Sequence, residues 1–320
     1  MLIKILSENA DRRLDKFLFA HLNNAPHSFI YKMLRKKRIK LNGRRADGNE
    51  ILQEGDELHL YLSPETIQSC RKTREIPEAG ALTGIIFEDK NLLIVNKPVG
   101  LSSHGGSLSK TSRNHKNDNL LARVLYYLYK SGAYNPNADF VPALCNRLDV
   151  NTGGLVICGK NLHALQQMNA LFANGGIEKE YLAIADGIMG KKGDEKTLKG
   201  AYTKNTKTNM AEITEINDTA PPPPVIAVTK YRILSTSKNR TMLSVKPITG
   251  RSHQIRAHLA SVNHPLSGDK KYGGSSARGA LGQLLHCYRL TIKSENLLGY
   301  PLGTSWEAPP PSNMIERMTK

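Results

Sequence analysis

Asp149 stands two residues after Arg147 in the run Asn146-Arg147-Leu148-Asp149-Val150-Asn151-Thr152-Gly153-Gly154, just ahead of an apolar segment, Leu155-Val156-Ile157-Cys158. An ionised aspartate can attack a sugar carbon as a nucleophile or remove a proton as a general base. A neighbouring guanidinium holds its pKa down and fixes its orientation. Further along, Thr249-Gly250-Arg251-Ser252-His253-Gln254-Ile255-Arg256-Ala257-His258-Leu259 opens a helix with cationic and amide side chains. Ser252 is its expected cap, and the free amides of its first turn suit a phosphate. Arg147 and Arg256 are both candidate partners for Asp149. One carboxylate, guanidinium partners and a phosphate surface suit an enzyme that attacks a nucleotide without a metal. Alone, Arg-Leu-Asp says little, because most such triplets are surface ion pairs. The glycines at 153 and 154, which permit a tight turn with close backbone approach, give it weight.

His253 and His258 lie five residues apart, off one another's helical face, and lack a metalloprotease glutamate. They read as hydrogen-bonding or core histidines rather than a zinc pair. Tyr181, opening a strand after a glycine break, reads from its residues alone as packing. In a nucleotide site it would instead stack on a flipped base.

The elements that must position these groups fall into two parts. In the first, Leu14, Phe17, Leu18 and Leu22 share a helical face. Ser28 is placed to cap a second helix that turns Phe29, Ile30, Met33 and Leu34 inward. Between Ser28 and Arg45 stand eight basic residues and no acidic one, including Lys32, Arg35, Lys36 and Arg38, which reads as a nucleic-acid patch. Ile39-Lys40-Leu41 ends at an Asn42-Gly43 turn, and Glu57 to Leu62 alternates as a half-buried strand does. Residues 64–80, polar with Pro64, Pro77 and Gly80, read as a linker.

From residue 81 strands dominate. Ile85-Ile86-Phe87 and Leu92 to Val95 form a hairpin, and Asn119 caps a helix through Leu121, Val124, Leu125 and Leu128. Another helix, through Leu162, Leu165, Met168, Leu171 and Phe172, stops at Gly175-Gly176. Strands follow at Tyr181–Ile184, Val228–Leu234 and Leu243–Val245. The expected class is α+β, with an antiparallel or mixed sheet. Two stretches read as loose surface loops: Ser102 to Asn119, and Gly187 to Pro224 with its four terminal prolines.

The chain has 320 residues and a formal net charge of +17, an excess that favours a polyanionic partner. Its four scattered cysteines, with no CxxC pair, fit a reducing cytosol. The apolar start is too short for a signal sequence, and no apolar run approaches a membrane span of roughly 18 residues. The expected location is the cytoplasm, with no membrane partner.

Taken together, these residues resemble the RluA/RluC/RluD-type family of large-subunit ribosomal RNA pseudouridine synthases over nearly the whole chain. Residues 1–63 resemble its S4 RNA-binding domain, and 81–320 its catalytic domain. Asn96-Lys97-Pro98-Val99-Gly100 resembles Asn-Lys-Pro-x-Gly, and Asn146 to Gly154 resembles His-Arg-Leu-Asp-x-x-Thr-Ser-Gly. Lys179-Glu180-Tyr181 resembles Lys-x-Tyr, the segment from Thr249 resembles Thr-Gly-Arg-x-His-Gln-Ile-Arg-x-His, and His264 to Gly273 resembles His-Pro-x-x-Gly-Asp-x-x-Tyr-Gly. Asn146 replaces the usual His, and Gly153 the usual Ser. Neither is the reactive carboxylate, so activity is expected to persist.

The resemblance implies conversion of uridine to pseudouridine in large-subunit ribosomal RNA, by a monomer using no cofactor and no metal. It makes Asp149 the catalytic residue, acting at C1′ or at C2′, and Arg256 its preferred ion-pair partner. Arg147 would enter the vacated base stack, Tyr181 would face the flipped base, and Arg251 would help at the helix start or a phosphate. Lys32, Arg35, Lys36 and Arg38 would dock on structured RNA. A non-catalytic RNA-binding factor would keep the basic patch without needing Asp149, Arg256 and Tyr181. A glycoside hydrolase would want two carboxylates flanking the bond.

Overall fold

The computed structural model describes residues 1–105, 118–216, 225–277 and 279–319. Its first unit runs β1 (Leu2–Lys4), α1 (Leu14–His21), α2 (His27–Arg35), β2 (Ile39–Leu41), β3 (Arg44–Arg45), β4 (Glu57–Leu60) and α3 (Pro64–Ser69), with sheet order β1-β4-β2-β3. Leu14, Phe17, Leu18 and Leu22 bury together with Ile30 and Leu34 in a core of their own. Ser28 does not cap α2. Pro26 holds that position with an extended ψ, and its carbonyl accepts from Phe29 and Ile30, so Ser28 already lies within the first turn.

The C-terminal end of α2 closes through Lys37 N–H to Leu34 O and Arg38 N–H to Met33 O, with Lys37 at φ 57°. The basic side chains of Lys32, Arg35, Lys36 and Arg38 are exposed along and just beyond this helix end. The stretch read as a linker begins as a helix, because Ser63 Oγ accepts from Thr66 N and Pro64 takes the first helical position. Ile67 and Cys70 pack on the first core.

The second unit is built on one mixed sheet. In chain order it contains β5 (Ile85–Glu88), β6 (Leu92–Lys97), α4 (Leu120–Lys130), β7 (Ala143–Leu144), β8 (Gly153–Gly159), α5 (Leu162–Ala173), β9 (Ile177–Asp186), β10 (Glu195–Asn205), β11 (Met210–Thr214), β12 (Ile226–Ser237), β13 (Arg240–Pro247), α6 (Gln254–Ser261), β14 (Leu285–Ile292), β15 (Ser305–Glu307) and α7 (Ser312–Thr319). The sheet order is β11-β10-β12-β13-β9-β14-β8-β6-β5, with β15 on β14 and β7 on β8. Asn119 caps α4 through its side chain, as Asn161 does α5.

The segment from Gly187 to Pro224 is not a loose loop over its described part. β10 pairs with β12 from Glu195↔Arg232 to Ala201↔Ile226, and β11 closes on β10. Leu198, Ala211 and Ile213 bury while Lys196, Lys199 and Glu212 stay outside. Strands that bury one face beside a sheet edge need few apolar residues, and the outward lysines of β10 give this stretch the composition of a loop. Residues 106–117 of the other stretch read as loose, and the four prolines at 221–224, lie outside the described residues.

The two halves of the sheet join at a short parallel seam, His286↔Gly153 and Cys287↔Gly154, between β14 and β8. Gly154 has φ +116°, and a Cβ there would collide with the backbone of Cys287. The paired glycines are thus strand residues. Their close approach is to β14, across the sheet, rather than within a turn.

Candidate active site

Asp149 lies on the connection from β7 into β8, at the mouth of that seam. Hydrogen bonds hold the connection on several sides. Asn146 Oδ1 accepts from Ile157 N at 2.9 Å and Asn146 Nδ2 donates to Leu155 O at 3.1 Å, so this side chain extends the ladder of β8. Ser103 Oγ donates to Leu148 O at 2.9 Å and accepts from Leu148 N at 3.2 Å. Thr152 N–H closes the turn onto Asp149 O, and Gln283 Nε2 donates to Thr152 Oγ1 at 3.0 Å.

Beneath the turn Lys97 is fully buried. Its Nζ donates to Pro98 O, Leu101 O and Val150 O at 3.0, 2.8 and 3.2 Å. Burial pushes its pKa down to about 7, against the raising influence of Asp149. Sequence reasoning assigns no role to Ser103, Lys97 or Gln283. Only Lys97 carries a signal there, a charge that ends the strand begun by the apolar run Leu92 to Val95.

Arg256, on α6, reaches the carboxylate: Nη1 donates to Asp149 Oδ2 at 2.9 Å. Its other edge forks onto Asp269, which is buried. Burial opposes the guanidinium charge, but Asp269 and then Asp149 more than offset this and its pKa is raised. Tyr272 lies under the guanidinium, ring centroid 4.9 Å away. Asp269 and Tyr272 both occur in the motif from His264 to Gly273, and only the fold reveals that they wrap Arg256. Arg147 is exposed and makes no ion pair among the described residues.

Ser252 does not cap α6. His253 occupies that position in the left-handed region, φ 55°, and no side chain caps the helix. Ser252 Oγ instead accepts from Lys204 Nζ at 3.2 Å. The buried amide of Gln254 ties the bend, accepting from Arg251 N and Thr249 Oγ1 and donating to Val228 O. Arg251 is exposed beside it. His258 is a core histidine, its Nδ1 2.7 Å from Thr229 Oγ1. Among the described residues no group of three or more His, Cys, Asp and Glu could hold a metal ion.

Tyr181 sits in β9 opposite Cys287 on one side and Val245 on the other, packed against the cores of both sheet halves. Burial raises its phenol pKa well above 10, with Cys287 and the charge of Asp149 acting the same way. Its hydroxyl therefore keeps its proton within electrostatic reach of Asp149. Lys32, Arg35, Lys36 and Arg38 are all exposed on and after α2.

Comparison with known proteins agrees over both units. The family model for RNA pseudouridylate synthase matches residues 91–261, and that for the S4 domain matches 12–58. Ribosomal large subunit pseudouridine synthase C of Vibrio parahaemolyticus is 29% identical over 311 residues, covering 95% of this chain and 90% of that protein. The protein of that name from Vibrio vulnificus is 30% identical, covering 85% and 80%. Among solved structures, human RNA pseudouridylate synthase domain containing 4 superposes with a TM-score of 0.52 at 22% identity, over 73% of this chain and 92% of that one.

Proposed function

This chain belongs to the RNA pseudouridylate synthase family, and we propose that its substrate is large-subunit ribosomal RNA, with Asp149 as the reacting carboxylate. The relatives' name and their coverage of both units support that substrate. The reaction breaks the uridine C1′–N1 bond, turns the uracil and joins C5 to C1′, with the C5 hydrogen leaving to water. A stacked or paired uridine must first be extruded, at a cost of a few kcal/mol.

The observation that carries the assignment is the Arg256–Asp149 pair at 2.9 Å, with Asp269 locking the guanidinium from behind. Such a pair keeps one carboxylate ionised and aimed. Asp149 is 32% exposed, so a flipped nucleotide can reach it. Tyr181, its hydroxyl protonated, offers a neutral ring to the flipped base, and exposed Arg147 is free to fill the gap left in the stack. Arg251 faces solvent where a phosphate would pass. Lys32, Arg35, Lys36 and Arg38 form the docking face for structured RNA. All four cysteines are free, which supports a reducing compartment, the cytoplasm.

The test is release of tritium from uridine C5 in large-subunit RNA transcripts. Asp149→Asn is expected to release none while retaining RNA binding. Full release by that variant would remove Asp149 from the chemistry. Tight binding by the wild type without release would point to a binding factor.

A further inference from the structure

The β10–β11 arm, whose sequence has the look of a loop, ends on the active site. Tyr272 Oη accepts from Ala211 N at 2.8 Å and lies 3.0 Å from His253 Nδ1. A backbone N–H can only donate, so the phenol oxygen accepts there and its single proton is available to His253 Nδ1. When the phenol donates to Nδ1, the imidazole's own proton sits on Nε2. Burial lowers the histidine's pKa, which favours this neutral form, although Asp149 pulls the other way. Tyr202 Oη pins the preceding carbonyl, Ser252 O, at 3.1 Å, and His253 holds a left-handed backbone that a non-glycine residue rarely adopts.

Nε2 faces Asp149 Oδ2 across 3.7 Å, longer than a hydrogen bond. Arg256 Nη1 already holds that same oxygen. Among the described residues no hydrogen bond reaches Asp149 Oδ1. One carboxylate oxygen is thus gripped and the other stands open.

We propose that His253 is a positioning residue for the isomerisation: its Nε2–H closes onto Asp149 Oδ2 when RNA binds, and Oδ1 is the oxygen that reacts. Tyr272 and the Ala211 amide select the tautomer that makes this possible. Catalytic hydrogen bonds are commonly long in a free enzyme and tighten around substrate. The inference rests on Asp149 being the reacting carboxylate.

Single-turnover tritium release on a large-subunit RNA transcript, alongside RNA affinity and thermal unfolding, tests it. His253→Leu removes the donor, whereas His253→Gln returns an amide N–H at comparable reach with the same backbone strain. The Leu variant should lose turnover on the order of tenfold to a hundredfold with RNA affinity unchanged, and the Gln variant should recover most of it. Tyr272→Phe should slow the wild type yet add nothing to His253→Leu, since it acts through the imidazole. Equal rates for the Leu and Gln variants, a wild-type rate for Leu, or additive losses with Tyr272→Phe would overturn the proposal. If the Leu variant does not fold, His253→Ala, which also lacks the donor, replaces it in each of these comparisons. Absence of release by the wild type, or its persistence in Asp149→Asn, would instead overturn the reading on which the proposal stands.

Discussion

Asp269 holds Arg256 in a two-point fork, Nε to Oδ2 at 2.7 Å and Nη2 to Oδ1 at 2.8 Å, leaving Nη1 for Asp149. A single buried cation thereby serves two carboxylates, one buried and one partly exposed. Asp269→Asn keeps the shape but turns amide hydrogens toward guanidinium hydrogens. Stability should fall by about 3–5 kcal/mol, as for other broken buried pairs. Turnover should fall on the order of a hundredfold through misplacement of Asp149. Urea denaturation and tritium release on the same sample would check both. An unchanged rate would show that Arg256 holds its place without the fork.

The two glycines of the seam should respond differently to substitution. Gly154→Ala adds a Cβ into the backbone of Cys287 at a φ unfavourable to alanine, and should cost at least about 3 kcal/mol. Gly153→Ser restores the residue usual in the resembled family, but here its Cβ would lie 3.0 Å from His286 Nδ1 and 3.2 Å from Val99 Cγ2. A loss of about 1–3 kcal/mol is expected, with activity retained. Denaturant midpoints would separate the two, and equal losses would contradict the seam geometry.

RNA docking by α2 predicts a salt signature. Lys36→Ala combined with Arg38→Ala should weaken binding to structured RNA. The slope of log affinity against log salt should fall by up to ~0.9 for each phosphate that the variant no longer neutralises. Titrations across salt concentrations would measure this. A slope equal to that of the wild type would take these residues off the interface.

Acid should destabilise the fold before most carboxylates titrate. Burial pushes His258 and His286 down to about 4. An unfolded histidine binds its proton below about 6.5, whereas these folded ones bind theirs only near 4, so the unfolded state holds more protons in between. Stability should therefore drop as pH falls from about 6.5 toward 4, by at most about 1.4 kcal/mol per pH unit for each histidine. Chemical denaturation at several pH values, repeated with His258→Gln, would show the slope and its reduction. A flat profile through that window would mean that both histidines titrate normally in the folded protein.

Signals that close within a few residues are legible in the chain. Asn119 caps a helix that its own spacing announces, and Gly175 ends α5 in the left-handed region. The β5–β6 hairpin and the buried face of α1 follow from apolar periodicity, and the ordered motifs around Asp149, Tyr181 and Arg256 point to the family. Periodicity and capping are local, so a linear string carries them. Pairings across long stretches of chain are not local. Arg256, rather than the neighbouring Arg147, meets Asp149 from 107 residues away, and Asp269 and Tyr272 acquire roles only by folding around it. The β10–β11 arm is hard to read in the string because its strands bury one face alone, and the outward lysines of β10 resemble a loop. Ser252 has the residue type of a cap, but Gln254 takes the bend, its amide bonding to β12 through Val228. Gly154 has the residue type of a turn, and only the placement of β14 against it makes it a strand residue. Sequence determined which groups were present and which short elements would form. Tertiary structure decided which of them met, because the packing of distant strands, not neighbourhood in the chain, brings a guanidinium to 2.9 Å from a carboxylate.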